Sequence, residues 1–183
     1  MYQGKLVRLR RVDPAGDLED RYRWMNDRAV TDTLGMRPGR LSREEVRRYL
    51  EAAAASSDSF VEWAIEDLKT GAHIGGCTIR GFNHVARSAE LGIVIGEAEY
   101  RGRGYGTDAV RLLLHIGFDQ FNLNRIWLTV NAHNAAGLRA YEKAGLVREG
   151  RLRQYGFING SYYDAVIMAI LRDDYERMKQ HGE

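Results

Sequence analysis

The chain has 183 residues, of which 44% are hydrophobic and 28% are charged, a composition typical of a globular protein with a sizeable core. Its formal net charge of +2 is too small to indicate nucleic-acid binding, and the Arg-Gly segment at 101–106 is too short to form a disordered binding tract. No window approaches the roughly eighteen consecutive apolar residues of a transmembrane helix, so the sequence predicts no membrane span.

Cysteine and histidine usage limits the chemistry further. Cys77 is the only cysteine, which excludes an internal disulfide and favours a reducing compartment. We interpret it as a small buried strand residue, because no His/Asp pattern supports a nucleophile. The histidines show no zinc-type spacing, so we expect no metal site. The N-terminus lacks the apolar stretch of a signal peptide, and we expect a cytoplasmic protein.

The first third of the chain predicts one strand and two helices. Residues 5–12, "KLVRLRRV", alternate and indicate a strand. Asp13-Pro14 predicts a helix start with Asp13 as N-cap, and this helix should run to about Asn26. "GMRPGR" (35–40) indicates a loop. Ser42 and Glu45 form a capping-box pattern, which predicts a second helix through about residue 55.

Three strands should follow. "FVEWAIED" (60–67) alternates apolar and polar residues and predicts a half-buried strand, and "HIGGCTIRGF" and "SAELGIVIG" predict two more. Lys69-Thr70-Gly71 indicates a hairpin turn between the first two.

The rest of the chain changes period repeatedly. Helical spacing from near Gly104 is followed by a strand at 125–130, a helix at 134–145 between Asn134 and Gly145, and strands near 146–155 and 161–170 around an Asn159-Gly160 turn. A polar helical tail ends the chain. The order β-α-α-β-β-β-α-β-α-β-β predicts a mixed α/β fold: a seven-stranded, mostly antiparallel sheet with a central parallel βαβ unit and helices on both faces.

A glycine-rich turn, "RGRGYG", lies between a strand and a helix. The first N–H groups of a helix lack internal partners and its dipole is positive there, so such a turn favours binding of an anion, above all a phosphate. Its spacing matches neither a nucleoside-triphosphate loop nor a dinucleotide fingerprint. A tight turn without ligand is the alternative.

The preceding strand carries a second indication. Gly92 and Gly96 lie in "ELGIVIGE", and glycine within a strand often marks the close approach of a ligand or of another backbone. A strand that binds an extended molecule through its main chain and leads into a phosphate cradle suits coenzyme A.

Two segments together resemble signatures of the GNAT superfamily of N-acetyltransferases. Arg101-x-x-Gly104-x-Gly106 is similar to the acetyl-CoA pyrophosphate motif (Q/R)-x-x-G-x-(G/A), and "VNAHNAAGLRAYEKAGL" (130–146) is similar to the second signature. The resemblance covers nearly the whole chain. "FNHVARSAELGIVI" and "EGRLRQYGFINGSYYDAVIMAI" are most similar to the branch that holds ribosomal-protein N-terminal acetyltransferases and spermidine acetyltransferases.

The resemblance implies one N-acetyltransferase domain over residues 1–183, with acceptor-side elements at about 13–56, an acetyl-CoA-binding core at about 88–146 and a C-terminal hairpin at about 146–170. It implies acetyl-CoA as co-substrate and an amine as acceptor, and a homodimer is a further expectation. The predicted cofactor-binding residues are Ile93, Val94, Ile95, Arg101, Gly102, Arg103, Gly104, Tyr105, Gly106, Thr107 and Asn134.

The chemistry needs a neutral amine. An α-amine with a pKa near 8 is about one-tenth neutral at pH 7, and a lysine amine far less, so a base is expected. Glu90 is the candidate, because it lies eleven residues before Arg101, the offset of the base glutamate in histone-acetylating members of the superfamily. A structural strand carboxylate is the alternative. His84 is a second candidate, with a structural histidine as its alternative.

Two further roles concern the thioester. Backbone N–H groups at 93–95 are candidates to stabilise the developing oxyanion. Asn134 and Tyr141 are seven residues apart, so they lie on one helix face about 10 Å apart along its axis. The resemblance implies that Asn134 contacts CoA and that Tyr141 protonates the departing thiolate; a helix cap and a core aromatic are the respective alternatives.

The acceptor is less defined. "MRPGRLSREEVRR" (36–48) is mostly basic, whereas a polyamine site should be acidic. We therefore predict an α-amine of a peptide or protein, or a small amine that carries an acidic group, although these arginines also fit a solvated helix face. Spermidine or polyamine acetylation and a non-catalytic CoA-binding regulator remain alternatives.

Overall fold

A computed structural model of the chain describes residues 1–35, 41–55, 57 and 59–181. Within these residues lie eight strands and six α-helices, with a 3₁₀ turn at Ala98–Tyr100 and a π-helical turn at Ile116–Gln120. The strands are β1 Tyr2–Gln3, β2 Val7–Arg11, β3 Phe60–Asp67, β4 His73–Asn83, β5 Ser88–Ile95, β6 Arg125–Asn131, β7 Val147–Ile158 and β8 Ser161–Leu171. The helices are α1 Leu18–Met25, α2 Arg28–Leu34, α3 Arg43–Ala55, α4 Tyr105–His115, α5 Ala135–Lys143 and α6 Arg172–Gln180.

One mixed sheet contains all eight strands, in the order β1-β2-β3-β4-β5-β6-β8-β7. Every neighbouring pair is antiparallel except β5 and β6, which are parallel and are joined by the crossover through α4. The predicted mixed α/β fold with a central parallel βαβ unit is confirmed. The predicted count of seven strands is wrong by one, because the two-residue strand β1 pairs with β2 and is too short to show a period.

The parallel pair is very short. Ser88, Ala89 and Glu90 pair with Arg125, Ile126 and Trp127, and no pairing with β6 continues along the rest of β5 within the described structure. The sheet therefore opens into a cleft between the C-terminal halves of β5 and β6.

Helices cover both faces of the sheet. A large apolar cluster packs α4, α5 and α6 against one face and includes Leu9, Ile65 and Leu113. A smaller cluster packs α1 and α3 on the other side, around Val46 and Leu50. Strand β3 lies between the two, so its residues 62–67 are all buried, and the predicted half-buried alternation is wrong.

The start of α1 also differs from the prediction. The helix begins at Leu18, and Asp13 instead accepts a hydrogen bond from Ala15 N (3.1 Å) within a turn that precedes it. Asp13-Pro14 is thus a turn signal here. Helix α2, which ends at Leu34 with Gly35 as its C-cap, was not predicted, and residues 36–40 of the predicted loop lie outside the described residues.

Other local signals are confirmed. Ser42 N donates to Glu45 Oε2 (2.7 Å) and Glu45 N donates to Ser42 Oγ (3.2 Å), the two bonds of a capping box at α3. Asn159 and Gly160 both have positive φ, as the predicted tight hairpin turn requires. No helix in the described ranges has the length and apolarity to cross a membrane.

Asp108, in the first turn of α4, fastens this helix to the start of β2. Its carboxylate accepts the backbone N–H groups of Lys5 (3.1 Å), Leu6 (2.7 Å) and Val7 (3.0 Å). The acidic side chain also suits the positive end of the helix dipole. This residue therefore holds the helix that follows the glycine-rich turn in place.

Replacing Asp108 by Ala should lower the free energy of unfolding by about 1–3 kcal/mol, because three N–H groups lose an ionised acceptor. Urea denaturation measures the change. Asp173→Ala is the matched control, since Asp173 lies in the first turn of α6, is exposed and has no side-chain hydrogen bond to any described residue. It should cost less than about 1 kcal/mol; equal losses in the two variants would contradict the anchoring role.

Candidate active site

The glycine-rich turn presents free backbone donors at the start of α4. Gly102 and Gly104 have φ of +72° and +93°, a left-handed conformation that other residues adopt only with strain. Within the described structure, the backbone N–H groups of residues 102–107 donate to no protein acceptor. Six successive free N–H groups at a helix N-terminus form a cradle for an anion.

The two arginines of the turn have different surroundings. Arg101 is half-buried, and its guanidinium donates to the carbonyls of Ile95 (3.0 Å) and Gly96 (2.5 Å), so it ties the turn to the end of β5. Arg103 is exposed and donates once, from Nη1 to the Glu99 carbonyl (3.2 Å). Arg103 therefore has the greater freedom to reach a ligand.

The cleft between β5 and β6 exposes a strand edge. Gly96 N donates to Ile74 O on the β4 side (2.9 Å), and peptide groups alternate along a strand. Peptide groups of Gly92 and Val94 therefore face β4, while those of Ile93 and Ile95 face the cleft. The backbone of Val94, grouped with its neighbours by the sequence analysis, is engaged in the β4–β5 ladder.

Gly92 and Gly96 have a different explanation from the predicted one. A Cβ on Gly96 would collide with the indole of Trp24, and a Cβ on Gly92 would lie 2.6 Å from Thr78 Oγ1. Both glycines make room for side chains of the protein itself. These contacts account for both glycines without a ligand, so the indication of ligand binding comes from the unpaired edge of β5.

Glu90 lies at the last paired position of β5, where the cleft begins, on the sheet face opposite α4. Its carboxylate forms a bidentate ion pair with Arg80 of β4, at 3.1 Å from Nε to Oε2 and 2.8 Å from Nη2 to Oε1. His84, the second candidate base, is exposed in the β4–β5 turn, at the other end of β5 from the glycine-rich turn. The structure does not bring His84 to the cleft.

A buried polar network lies on the same sheet face as Glu90. Arg21 and Tyr49 each donate to one oxygen of Glu62, and the side chains of Arg21 and Glu62 are only 5% and 1% exposed. Glu62 is paired with Thr78 of β4, two positions from Arg80. Burial, followed by the Glu62 charge, raises the pKa of Tyr49. The sequence analysis missed this network because its members are 13 and 41 residues apart.

Helix α2 covers the cleft on the sheet face that carries Glu90, opposite α4. Asn131, at the end of β6, donates from Nδ2 to the carbonyls of Asp32 (3.3 Å) and Thr33 (3.1 Å). A Cβ on Gly35 would collide with the hydroxyl of Tyr163 from β8. The last turn of α2 is therefore fixed against β6 and β8.

Helix α5 carries the remaining two predicted residues. Asn134 is its N-cap, and Oδ1 accepts from Gly137 N (2.9 Å), so the capping role exists and leaves Nδ2 without a protein acceptor in the part of the chain described. Tyr141 packs, half-buried, against the large core cluster. Burial raises the pKa of its phenol to about 12.

The other predicted residues lie where the turn places them. Tyr105, Gly106 and Thr107 form the first turn of α4, and the ring of Tyr105 packs edge-on against Tyr100 with centroids 4.9 Å apart. Cys77 is buried in the core. In the described ranges no three His, Cys, Asp or Glu side chains come together as a metal site.

Two solved structures that share this fold are described as acetyltransferases. A crystal structure of spermidine N-acetyltransferase from Vibrio cholerae in complex with CoA and spermine has a TM-score of 0.84, with 29% identity, over 93% of this chain and 98% of that one. An acetyltransferase of the GNAT family from Bacillus anthracis, at 20% identity, shares the fold with a TM-score of 0.81 over 94% of this chain and 98% of that one.

The chain belongs to the GNAT acetyltransferase family, since the profile described as "Acetyltransferase (GNAT) domain" matches residues 7–147. The resemblance predicted from the two motifs is thus confirmed. Spermidine N(1)-acetyltransferase of Escherichia coli (strain K12) is 40% identical over 93 residues, 51% of this chain and 50% of that protein. A candidate ribosomal N-acetyltransferase of Bacillus subtilis (strain 168), YdaF, is 30% identical over 61% of each chain. The chain thus spans about half to three fifths of these two relatives.

Tyr141 should make stability depend on pH in the alkaline range. Its folded pKa of about 12 exceeds the ordinary value of 10.0, so its contribution is complete below pH 10 and is lost as pH rises from 10 to 12. As the pH rises from 9 to 11, the free energy of unfolding of the wild type should fall by about 1.4 kcal/mol more than that of Tyr141→Phe. Urea denaturation at both pH values measures the difference. Tyr162→Phe, which removes an exposed tyrosine, should behave like the wild type.

Proposed function

We propose that the chain is an acetyl-CoA-dependent N-acetyltransferase that moves an acetyl group to a primary amine by direct attack, with the α-amine of a peptide or protein, or a small amine, as acceptor. One observation carries the proposal: six free N–H groups at the start of α4 follow an unpaired strand edge after a short turn. A pyrophosphate fits the first, and the amides of a pantetheine arm fit the second by adding to the edge of β5.

Acetyl-CoA supplies an activated acetyl thioester. In this proposal, residues 102–107 hold its pyrophosphate through backbone N–H groups, and Arg103 adds charge. Arg101 acts through the turn, since its guanidinium is committed to the carbonyls of Ile95 and Gly96. Ile93 and Ile95 receive the pantetheine arm, and the free Nδ2 of Asn134 donates to the same ligand.

Glu90 is the proposed base. It lies where the cleft begins, so an amine that enters from the α2 side meets its carboxylate before the thioester. The carboxylate takes the amine proton while the C–N bond forms and the C–S bond breaks. The N–H of Ile93, which faces the cleft, is placed to stabilise the oxyanion on the carbonyl, as preorganised donors do in other acyl transfers.

Tyr141 is the proposed donor to the departing sulfur. Its pKa of about 12 keeps the phenol protonated throughout the working range. A thiol has an ordinary pKa near 8.5, so complete proton transfer from this phenol to a thiolate is uphill by roughly 3–4 pK units. We therefore expect Tyr141 to stabilise the thiolate mainly by a hydrogen bond.

A second candidate acceptor is a polyamine. The Vibrio relative is described with spermine, and the Escherichia coli relative is named for spermidine. Asp32 of α2 offers one supporting feature, because its Oδ1 is buried without a hydrogen-bond partner in the described structure. Against this, Glu62 and Glu90 on the acceptor face are each neutralised by an arginine, which leaves little negative charge for a polycation.

Removing one backbone donor tests the cradle. Thr107→Pro deletes an N–H in the first turn of α4, where proline is tolerated. The residue before it is a glycine, which reduces the strain that a proline imposes on its preceding residue. We expect acetyl-CoA to bind about tenfold or more weakly, because a bond to a charged group is lost. Isothermal titration measures the affinity.

Thr107→Ala is the matched variant, since it removes the hydroxyl and keeps the N–H, and it should lose less affinity. At a ligand concentration one hundred times Kd, acetyl-CoA or CoA should raise the free energy of unfolding of the wild type by about 2.7 kcal/mol, whereas NAD and ATP should not change it. An unchanged affinity in Thr107→Pro would contradict binding at the cradle.

Rates of thiol release with competing amines test the acceptor. We expect peptides with free N-termini to be acetylated faster than spermidine, and Glu90→Gln to lower kcat/KM by about 10²–10⁴-fold, the usual range for a general base. Asp32→Asn distinguishes the two candidate acceptors, since it should lower kcat/KM only for a polyamine. Preference for spermidine would replace the α-amine acceptor by a polyamine, and binding of acetyl-CoA without thiol release from any amine would indicate a regulator.

A further inference from the structure

Arg80 holds the proposed base by one edge of its guanidinium. Nε and Nη2 bind the two oxygens of Glu90, while Nη1 donates to no acceptor among the described residues. A guanidinium has five N–H donors in two forked edges, so the second edge can bind another carboxylate without releasing the first. About half of the Arg80 side chain, 49%, is exposed, compared with 5% for Arg21.

The other charges on this face are already satisfied. Both oxygens of Glu62 accept hydrogen bonds, from Arg21 and from Tyr49, and Arg21 is committed to that carboxylate. On the strands β3–β5 of this face, Arg80 is therefore the charged group that has both exposure and an unused hydrogen-bonding edge.

A neighbouring phenol adds to the same surface. Strand β7 has an irregular register between Leu152 and Gly156, where three residues stand opposite Asp164 alone. The three include Tyr155, which is 51% exposed and close enough to Arg80 to contribute to its raised pKa, after the larger effect of Glu90.

We infer that Arg80 is a specificity-determining residue, which binds a carboxylate of the acceptor on its free edge while its other edge fixes Glu90. This inference rests on the proposed function and narrows its substrate class to amines that carry a carboxylate. The carboxylates of Glu90 and of the acceptor are then separated by the width of one guanidinium. The reactive amine must reach Glu90, so it lies within a few bonds of the acceptor carboxylate. Acidic amino acids and peptides with an N-terminal Asp or Glu meet this condition. A polyammonium ion is repelled by Arg80.

The test uses two peptides that differ in one charge. Asp-Ala-amide and Asn-Ala-amide have the same length, and in both the N-terminal amine is the acceptor. We expect the wild type to have a kcat/KM about tenfold or more higher for the Asp peptide, mainly through KM, because a charge-assisted bond is lost with Asn. Arg80→Gln should bring the ratio close to one. It also frees Glu90, but that change affects both peptides alike and cancels in the ratio.

Two further variants complete the design. Arg80→Lys keeps a point charge without the fork and should give an intermediate ratio, which provides the comparison if Arg80→Gln does not fold. Arg177→Gln is the matched control, because Arg177 is also paired with a carboxylate, Asp174, but lies on α6 away from the cleft. It should keep the wild-type ratio.

The outcomes separate this inference from the proposed function. A wild type that acetylates both peptides with equal kcat/KM, or Arg80 variants that keep the preference for Asp, would overturn the role of Arg80 and leave the acetyltransferase proposal intact. Faster acetylation of spermidine than of either peptide would also overturn it. A wild type that binds acetyl-CoA but releases no thiol with any amine would overturn both.

Discussion

The parallel pairing of β5 with β6 stops after three residue pairs, and the arrangement of the site depends on where it stops. Beyond Glu90 the peptide groups of β5 that would face a neighbouring strand have none. An unpaired edge inside a sheet is costly unless something else satisfies it. Here the edge is followed, after a short turn, by a helix whose first N–H groups are also free, so two open stretches of backbone, at the cleft side of β5 and at residues 102–107, lie in succession for an extended ligand.

The two faces of the sheet have different roles. On the α4 side, large aliphatic residues form the main core and hold α4 and α5 beside the cleft. On the other side, the central strands carry carboxylates, and each has a matching arginine from α1 or from the neighbouring strand. The buried pair of Arg21 and Glu62 contributes little net stability but is destabilising when one partner is removed. It therefore fixes the geometry of the acceptor face more than it strengthens the fold.

Local signals in the sequence predicted most of the architecture. The capping box at Ser42, the Asn159-Gly160 turn and the glycine-rich turn each depend on neighbours within a few residues, and all three occur where expected. The failures concern long-range contacts. The alternation at 60–67 cannot show that a second helical layer covers β3. The glycines at 92 and 96 accommodate Thr78 and Trp24, which come from other parts of the chain. Arg80 meets Glu90 only through the register of β4 and β5. The role of Asp108 was equally hidden, since its partners are more than 100 residues away.

The bond between Asp108 and residues 5–7 has a consequence for the dynamics of the molecule. The same helical turn carries the free N–H groups at one end and the side chain that accepts three amides of the N-terminal segment at the other. Local opening of β1 and the start of β2 therefore removes support from the turn, and a ligand that binds the ordered turn raises the free energy of that opening by the same coupling. Amide hydrogen exchange at Leu6 and Val7 thus becomes a remote reporter of occupancy at the cradle, although neither residue contributes a group to it.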